Sequence, residues 1–156
     1  MPALLNHIDP NGLEEFSVVF TDRSLNHMSK EFQKVMCDLS SNLKEVYNAN
    51  AVVLVPGGGT FAMEAVARQF GIEANVMVIR NGWFSYRWSQ IFESSSNARS
   101  TTELKARMIG NETLAPFRPA EVDEVIKKIK EDKPDIVFAP HVETSAGVIL
   151  PDDYIK

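Results

Sequence analysis

One stretch limits the possible folds more than any other. The apolar run Ala51-Val52-Val53-Leu54-Val55 stops at Pro56-Gly57-Gly58-Gly59-Thr60, and helix-forming sequence follows. A short β-branched run ending at Pro-Gly predicts a buried strand. After the glycines, Ala62, Met63, Val66, Ala67 and Phe70 fall on one helical face, with Glu64 and Arg68 paired four apart outside it. Strand, glycine turn and helix in that order form one unit of an open α/β sheet. The glycines tolerate positive φ and let a ligand approach the backbone closely. The helix start offers unpaired N–H groups and the positive end of the dipole, and Thr60 adds a hydroxyl. The sum is an anion site suited to a phosphate ester, with a tight turn that binds nothing as the plain alternative.

The rest of the chain repeats the alternation. Residues 1–28 read as an irregular N-terminal segment with turn signals at Asp9-Pro10-Asn11-Gly12 and an apolar, extended stretch over 16–20. Ser29 can cap a helix carrying Phe32, Val35, Met36, Leu39, Leu43 and Val46 at helical spacing. Residues 75–80 predict a strand, Asn81-Gly82 a turn, and 84–92 a helix. Residues 94–102 are polar and read as a loop, and 103–109 as a strand of imperfect alternation. Pro119 suits a first helical turn, and Val122, Val125, Ile126 and Ile129 mark that helix's buried side. A last buried strand over 136–139 leads into His141-Val142-Glu143-Thr144-Ser145-Ala146-Gly147. The expected class is α/β, a mostly parallel sheet with flanking helices over 29–156. Three or four strands make a thin core, which reads as a chain cut short or one whose sheet a partner completes.

Composition narrows the function classes. A net charge of −5 over 156 residues argues against nucleic acid as a partner, because phosphate backbones want a basic face. Lys127, Lys128, Lys130 and Lys133 read as one solvated helix face. Cys37 is the sole cysteine, so no internal disulfide exists, and its amphipathic setting predicts a buried structural thiol. His141 and Glu143 match the H-x-E of zinc deaminases, but the P-C-x-x-C those enzymes need is missing, so no metal is expected. No apolar run is long enough for a membrane span, and the N-terminus does not read as a signal peptide. A cytoplasmic protein with no membrane partner is the expectation.

Three phosphate chemistries compete for the glycine loop. No lysine follows the glycines as a P-loop requires. Gly57, Gly59 and Ala62 fit a dinucleotide fingerprint, but the next strand ends at Arg80, which suits an NADP phosphate rather than the ribose of NAD. Pyridoxal phosphate needs one phosphate loop and an aromatic face for its ring. Trp83, Phe84, Tyr86 and Trp88 follow Asn81-Gly82 at the strand end where ligands bind in such sheets, and Thr144 follows another strand on the same edge.

Four stretches in register then carry a family resemblance: Asn26-His27-Met28-Ser29-Lys30, the run from Val55 through Gly57-Gly58-Gly59-Thr60 to Ala65, Asn81-Gly82-Trp83-Phe84, and Glu143-Thr144-Ser145-Ala146-Gly147-Val148. Together they resemble the class V pyridoxal-phosphate aminotransferases of the alanine–glyoxylate and serine–pyruvate kind. The resemblance implies the incomplete large domain of a fold type I transferase, moving an amino group between a small amino acid and a 2-oxo acid such as glyoxylate or pyruvate. It implies that Gly58, Gly59 and Thr60 hold the cofactor phosphate, although the family often has serine and histidine at positions 58 and 60. Phe84, or Trp83 if the turn is offset by one, stacks on the pyridine. Thr144 meets the ring's phenolic oxygen, and Asn26 approaches the substrate. Family members are generally dimers, so a homodimer is implied for the full-length form. The lysine that forms the Schiff base, the carboxylate on the pyridine nitrogen and the small domain are expected beyond Lys156, so no catalytic residue is assigned within the chain and this polypeptide alone is expected to be inactive. An NADP-binding oxidoreductase domain and a non-catalytic subunit paired with a second chain are the alternatives.

Overall fold

The computed structural model describes residues 29–154, together with the backbone of two short strands before them. Those strands, β1 (Glu14–Glu15) and β2 (Ser24–Leu25), pair antiparallel with Glu14 opposite Leu25. The stretch over 16–20 and Asn26 lie outside the described residues. The chain divides into two compact units, Met1–Val55 and Pro56–Lys156.

In the first unit, helix α1 (Lys30–Tyr47) begins where the sequence places it. The Ser29 side chain accepts the Phe32 N–H at 3.1 Å, satisfying one of the free donors of the first turn. Asn48 ends the helix in the left-handed region. No residue of α1 is buried, and Val35, Leu39 and Val46 are exposed. Cys37 is exposed too, against the expectation of a buried thiol. The reason is shared with its neighbours: among the described residues of this unit nothing covers the helix's apolar side. The strand expected over 51–55 is also absent. These residues are irregular and mostly exposed, with Val53 at 82%. A strand exists only with a neighbour for its N–H and C=O groups, and among the described residues this segment has none.

The second unit holds the sheet. Helix α2 (Gly59–Phe70) leads to β3 (Asn75–Arg80), then α3 (Trp83–Ser95) and β4 (Ser100–Lys105). A small antiparallel pair, β5 (Arg107–Met108) with β6 (Phe117–Arg118), precedes α4 (Val122–Asp132). Strand β7 (Ile136–Phe138) follows, then the hairpin of β8 (Val142–Glu143) and β9 (Val148–Ile149), and a 3-10 turn over Asp152–Tyr154. The sheet order is β4-β3-β7, all parallel, with β3 central. The parallel α/β architecture expected from the alternation is the one found.

Strand β3 explains how the layers meet. Val76 and Val78 join Ala67, Ile91, Phe92 and Phe138 beneath α2 and α3. Met77 and Ile79 point the other way, into a cluster with Leu104, Ala120 and Val125 of α4. A strand buried on both faces reads as a continuous apolar run, as Val76-Met77-Val78-Ile79 does. Strand β4 begins at Ser100 rather than 103, so part of the expected polar loop is strand. It lies at the sheet edge among the described residues, where only Leu104 is buried and Thr101 and Thr102 suit a pleated, half-solvated surface.

Substitution Met77→Ala should destabilise the second unit by about 2–5 kcal/mol, the usual cost of emptying a packed site. Leu114→Ala, at a residue 94% exposed, should change stability by less than about 0.5 kcal/mol. Urea unfolding followed by circular dichroism measures both.

Candidate active site

Strand β3 ends at Arg80, and the chain turns through Asn81-Gly82 into α3. The N-cap of α3 is Gly82, which has no side chain to satisfy the first-turn N–H groups. They are satisfied from 58 to 62 residues downstream in sequence. Glu143 of β8 accepts the Phe84 N–H at 3.0 Å on Oε1 and the Ser85 N–H at 2.8 Å on Oε2. Ser85 Oγ donates to Oε2 at 2.6 Å, and Ser145 Oγ donates to Oε1 at 2.5 Å. Ser145 Oγ in turn accepts the Trp83 N–H at 2.8 Å. Ser85 Oγ accepts the N–H groups of Asn81 and Gly82 at 2.7 and 2.9 Å. Every donor at this helix start therefore ends on a side-chain oxygen, and the negative carboxylate sits at the positive end of the dipole.

Glu143 is fully buried, as are Ser85 and Ser89. Burial pushes its carboxyl up, but hydrogen bonds from Ser145, Ser85 and the Ser85 and Phe84 backbone outweigh this and hold it below the ordinary glutamate value. Glycine at 82 follows from the same packing. A Cβ there would lie 2.6 Å from Ser145 Oγ and 2.7 Å from Glu143 Cγ.

Beside this clamp lies an open cavity of about 520 Å³. Arg80 and Lys105 border it at the ends of β3 and β4, with Trp83, Tyr86 and Phe117 as aromatic walls. Both cations pair with Glu103, Arg80 at 2.8 Å and Lys105 at 3.1 Å. The Arg80 guanidinium also lies 4.3 Å from the centre of the Tyr86 ring. Burial raises the Glu103 carboxyl, yet neighbouring hydrogen bonds and these two cations bring it below its ordinary value.

The glycine loop lies at the start of α2. Gly57 adopts a φ of +122°, a conformation that favours glycine. Gly58 is the N-cap, with no side chain capping the helix and no acidic residue in the first turn. A Cβ at Gly58 or Gly59 would meet nothing within 4 Å, so internal packing does not explain these two glycines. Thr60 is exposed beside them.

Of the residues singled out in the sequence, Phe84 and Thr144 come into one neighbourhood, because Glu143 next to Thr144 binds the Phe84 N–H. The Phe84 ring is half exposed, and Thr144 is exposed in the turn between β8 and β9. Trp83, the rival for stacking, lines the cavity and packs on Tyr86 at 5.7 Å between ring centres. No hydrogen bond joins Gly58, Gly59 or Thr60 to Phe84 or Thr144 among the described residues. Glu143, Ser85 and Ser145 carry the local architecture, and the sequence reading gave none of them a role. Their available signal was a helix opening on glycine with no capping side chain of its own.

Comparison with known proteins finds aminotransferase relatives. No family model matches the chain. It is 31% identical over 133 residues to a 2-aminoethylphosphonate–pyruvate transaminase of Bacillus cereus, a match covering 83% of this chain and 35% of that one. It is 27% identical over 143 residues to an uncharacterized aminotransferase of Helicobacter pylori, covering 91% of this chain and 36% of the other. The crystal structure of ureidoglycine–glyoxylate aminotransferase from Bacillus subtilis is similar, with a TM-score of 0.60 and 25% identity, over 78% of this chain and 30% of that one. The chain is homologous to aminotransferases. It agrees with the class V resemblance, and aminotransferases of this type depend on pyridoxal phosphate. This aminotransferase relative spans about a third of the length of the curated proteins it matches. Among its described residues, no helix is long and apolar enough to cross a membrane.

The substitution Glu143→Gln should cost on the order of 2–3 kcal/mol at neutral pH, because an amide turns one acceptor into a donor facing buried donors. The carboxyl is held below its ordinary value, so its contribution is present above the ordinary glutamate range and lost as pH falls through the folded value. Urea unfolding at pH values from about 7 down to about 3 should show wild-type stability converging on that of Glu143→Gln. Parallel curves would contradict the clamp.

Proposed function

We propose that the chain is the cofactor-phosphate and ring-binding portion of a pyridoxal-phosphate transaminase that moves an amino group between a small amino acid and a 2-oxo acid. The observation that carries this reading is the pair of glycines at 58 and 59. They sit at a helix start with no side-chain cap, packing does not require them, and the N–H groups of Gly59 and Thr60 are left for an anion. Gly58, Gly59 and Thr60 would hold the phosphate, Phe84 the pyridine face, and Thr144 the phenolic oxygen. Asn26 is assigned to the substrate on the resemblance alone. The relatives named for pyruvate and glyoxylate support a small 2-oxo acid as acceptor.

When bound, the cofactor supplies an electron sink for amino transfer. What these residues contribute is position. The Glu143 clamp fixes the start of α3, and with it the residue offered to the ring. The half-exposed Phe84 side chain presents an apolar face, and the α2 start supplies N–H donors and a favourable dipole to a dianionic phosphate. Among the described residues no lysine is set up for proton transfer at the cofactor. Lys30, Lys34 and Lys44 lie on α1, and Lys127, Lys128 and Lys130 on α4, while Lys105 is paired with Glu103. The 156 residues alone are therefore inactive in this reading, and the active form is a cytoplasmic homodimer of the longer protein. The NADP alternative has less support, because the relatives are named as aminotransferases.

An absorbance titration tests the proposal. Pyridoxal phosphate should bind at one equivalent with no borohydride-reducible lysine adduct and no transamination, and NADPH should not bind. Thr60→Ala should weaken pyridoxal phosphate by about tenfold or more, the loss of one hydrogen bond to a charged group. Saturable NADPH binding, or a stoichiometric lysine adduct with activity, would overturn it.

A further inference from the structure

The cavity between the ends of β3 and β4 is lined by none of the residues assigned to the cofactor above, Gly58, Gly59, Thr60, Phe84 and Thr144. We infer that it is a separate binding site for a monocarboxylate with a planar apolar body. Its volume of about 520 Å³ is that of a small-molecule pocket, too large for a bare inorganic ion.

Charge defines one end. Arg80 and Lys105 bring two positive charges, and Glu103 returns one negative charge. The balance is one uncompensated cation, which matches a single carboxylate. The Lys105 side chain is 60% exposed, so its ammonium has hydrogen-bonding capacity beyond Glu103. The Arg80 guanidinium is fixed by Glu103 on one side and by the Tyr86 ring on the other, so little ordering remains to be done on binding. Asn81 also borders the cavity. It is 3% exposed, and its side-chain nitrogen and oxygen have no protein partner. A buried amide left unmatched is costly, and a ligand or water reaching it removes that cost.

Aromatic surface defines the other end. Trp83 and Phe117 are 62% and 53% exposed, and with Tyr86 they form walls on which a planar group can stack. The polarity therefore runs from a cationic end to an aromatic one, the pattern an aromatic carboxylic acid complements.

Calorimetric titration of the 156-residue chain with phenylpyruvate, in the absence of pyridoxal phosphate, tests this. One equivalent should bind. Pyruvate, lacking the ring, and benzyl alcohol, lacking the charge, should each bind at least about tenfold more weakly. Lys105→Met and Phe117→Ala, both at exposed side chains, should each weaken phenylpyruvate by about tenfold with an unchanged circular dichroism spectrum, and Lys127→Met should not. No heat with millimolar phenylpyruvate would overturn the site, and so would binding that survives Lys105→Met or Phe117→Ala. Because no cofactor is present, either result leaves the transaminase reading to its own titration.

Discussion

A single buried carboxylate holds the working edge of this molecule together. Glu143 arrives on a two-residue strand and takes four hydrogen bonds, two from the first turn of α3 and two from serine hydroxyls. A glycine N-cap cannot close its own helix, and the Glu143 and Ser145 side chains pack too closely against it to leave room for a Cβ. Burying a carboxylate is costly unless its lone pairs are all occupied, and here the occupants are the donors that otherwise would be left bare. The unpaired helix start and the unpaired anion each remove the other's penalty.

The clamp also joins elements that are distant in sequence but adjacent in the fold. The end of β3 sets the Asn81-Gly82 turn, the turn sets α3, and Glu143 ties that start to the turn holding Thr144 and Ser145. Phe84 and Thr144 thereby reach one neighbourhood through backbone and carboxylate rather than through contact of their own side chains. The same turn directs Trp83 toward Tyr86 and the cavity beside Arg80 and Lys105. One short loop thus serves two regions, an aromatic face on one residue and a cavity wall on its neighbour.

Much of this was legible in the sequence where local physics decides. Ser29 caps α1, Gly58 opens α2, and the run Val76-Met77-Val78-Ile79 becomes a strand buried on both faces, each from patterns that depend on few neighbours. The misreadings are those where a partner decides. The apolar run over 51–55 has strand composition and no strand beside it among the described residues. Cys37 lies on a helix whose apolar side is uncovered among the described residues of its unit. Ser100 and its polar neighbours read as loop because an edge strand needs little apolar sequence. Glu143 has no role in the sequence once the metal motif is set aside, because its partners, the amides of Phe84 and Ser85, leave no mark in side-chain identity.

The carboxylate of Glu143 closes α3 and fixes the edge on which the aromatic and hydroxyl groups stand. Amide hydrogen exchange, residue by residue, measures this closure. The amides of Phe84 and Ser85 should be protected to nearly the same degree as those of Met77 and Val78 in the central strand, and in Glu143→Gln that protection should fall by about tenfold or more while the strand changes less. Exchange of Phe84 and Ser85 in the wild-type chain as fast as at a frayed helix end would contradict it.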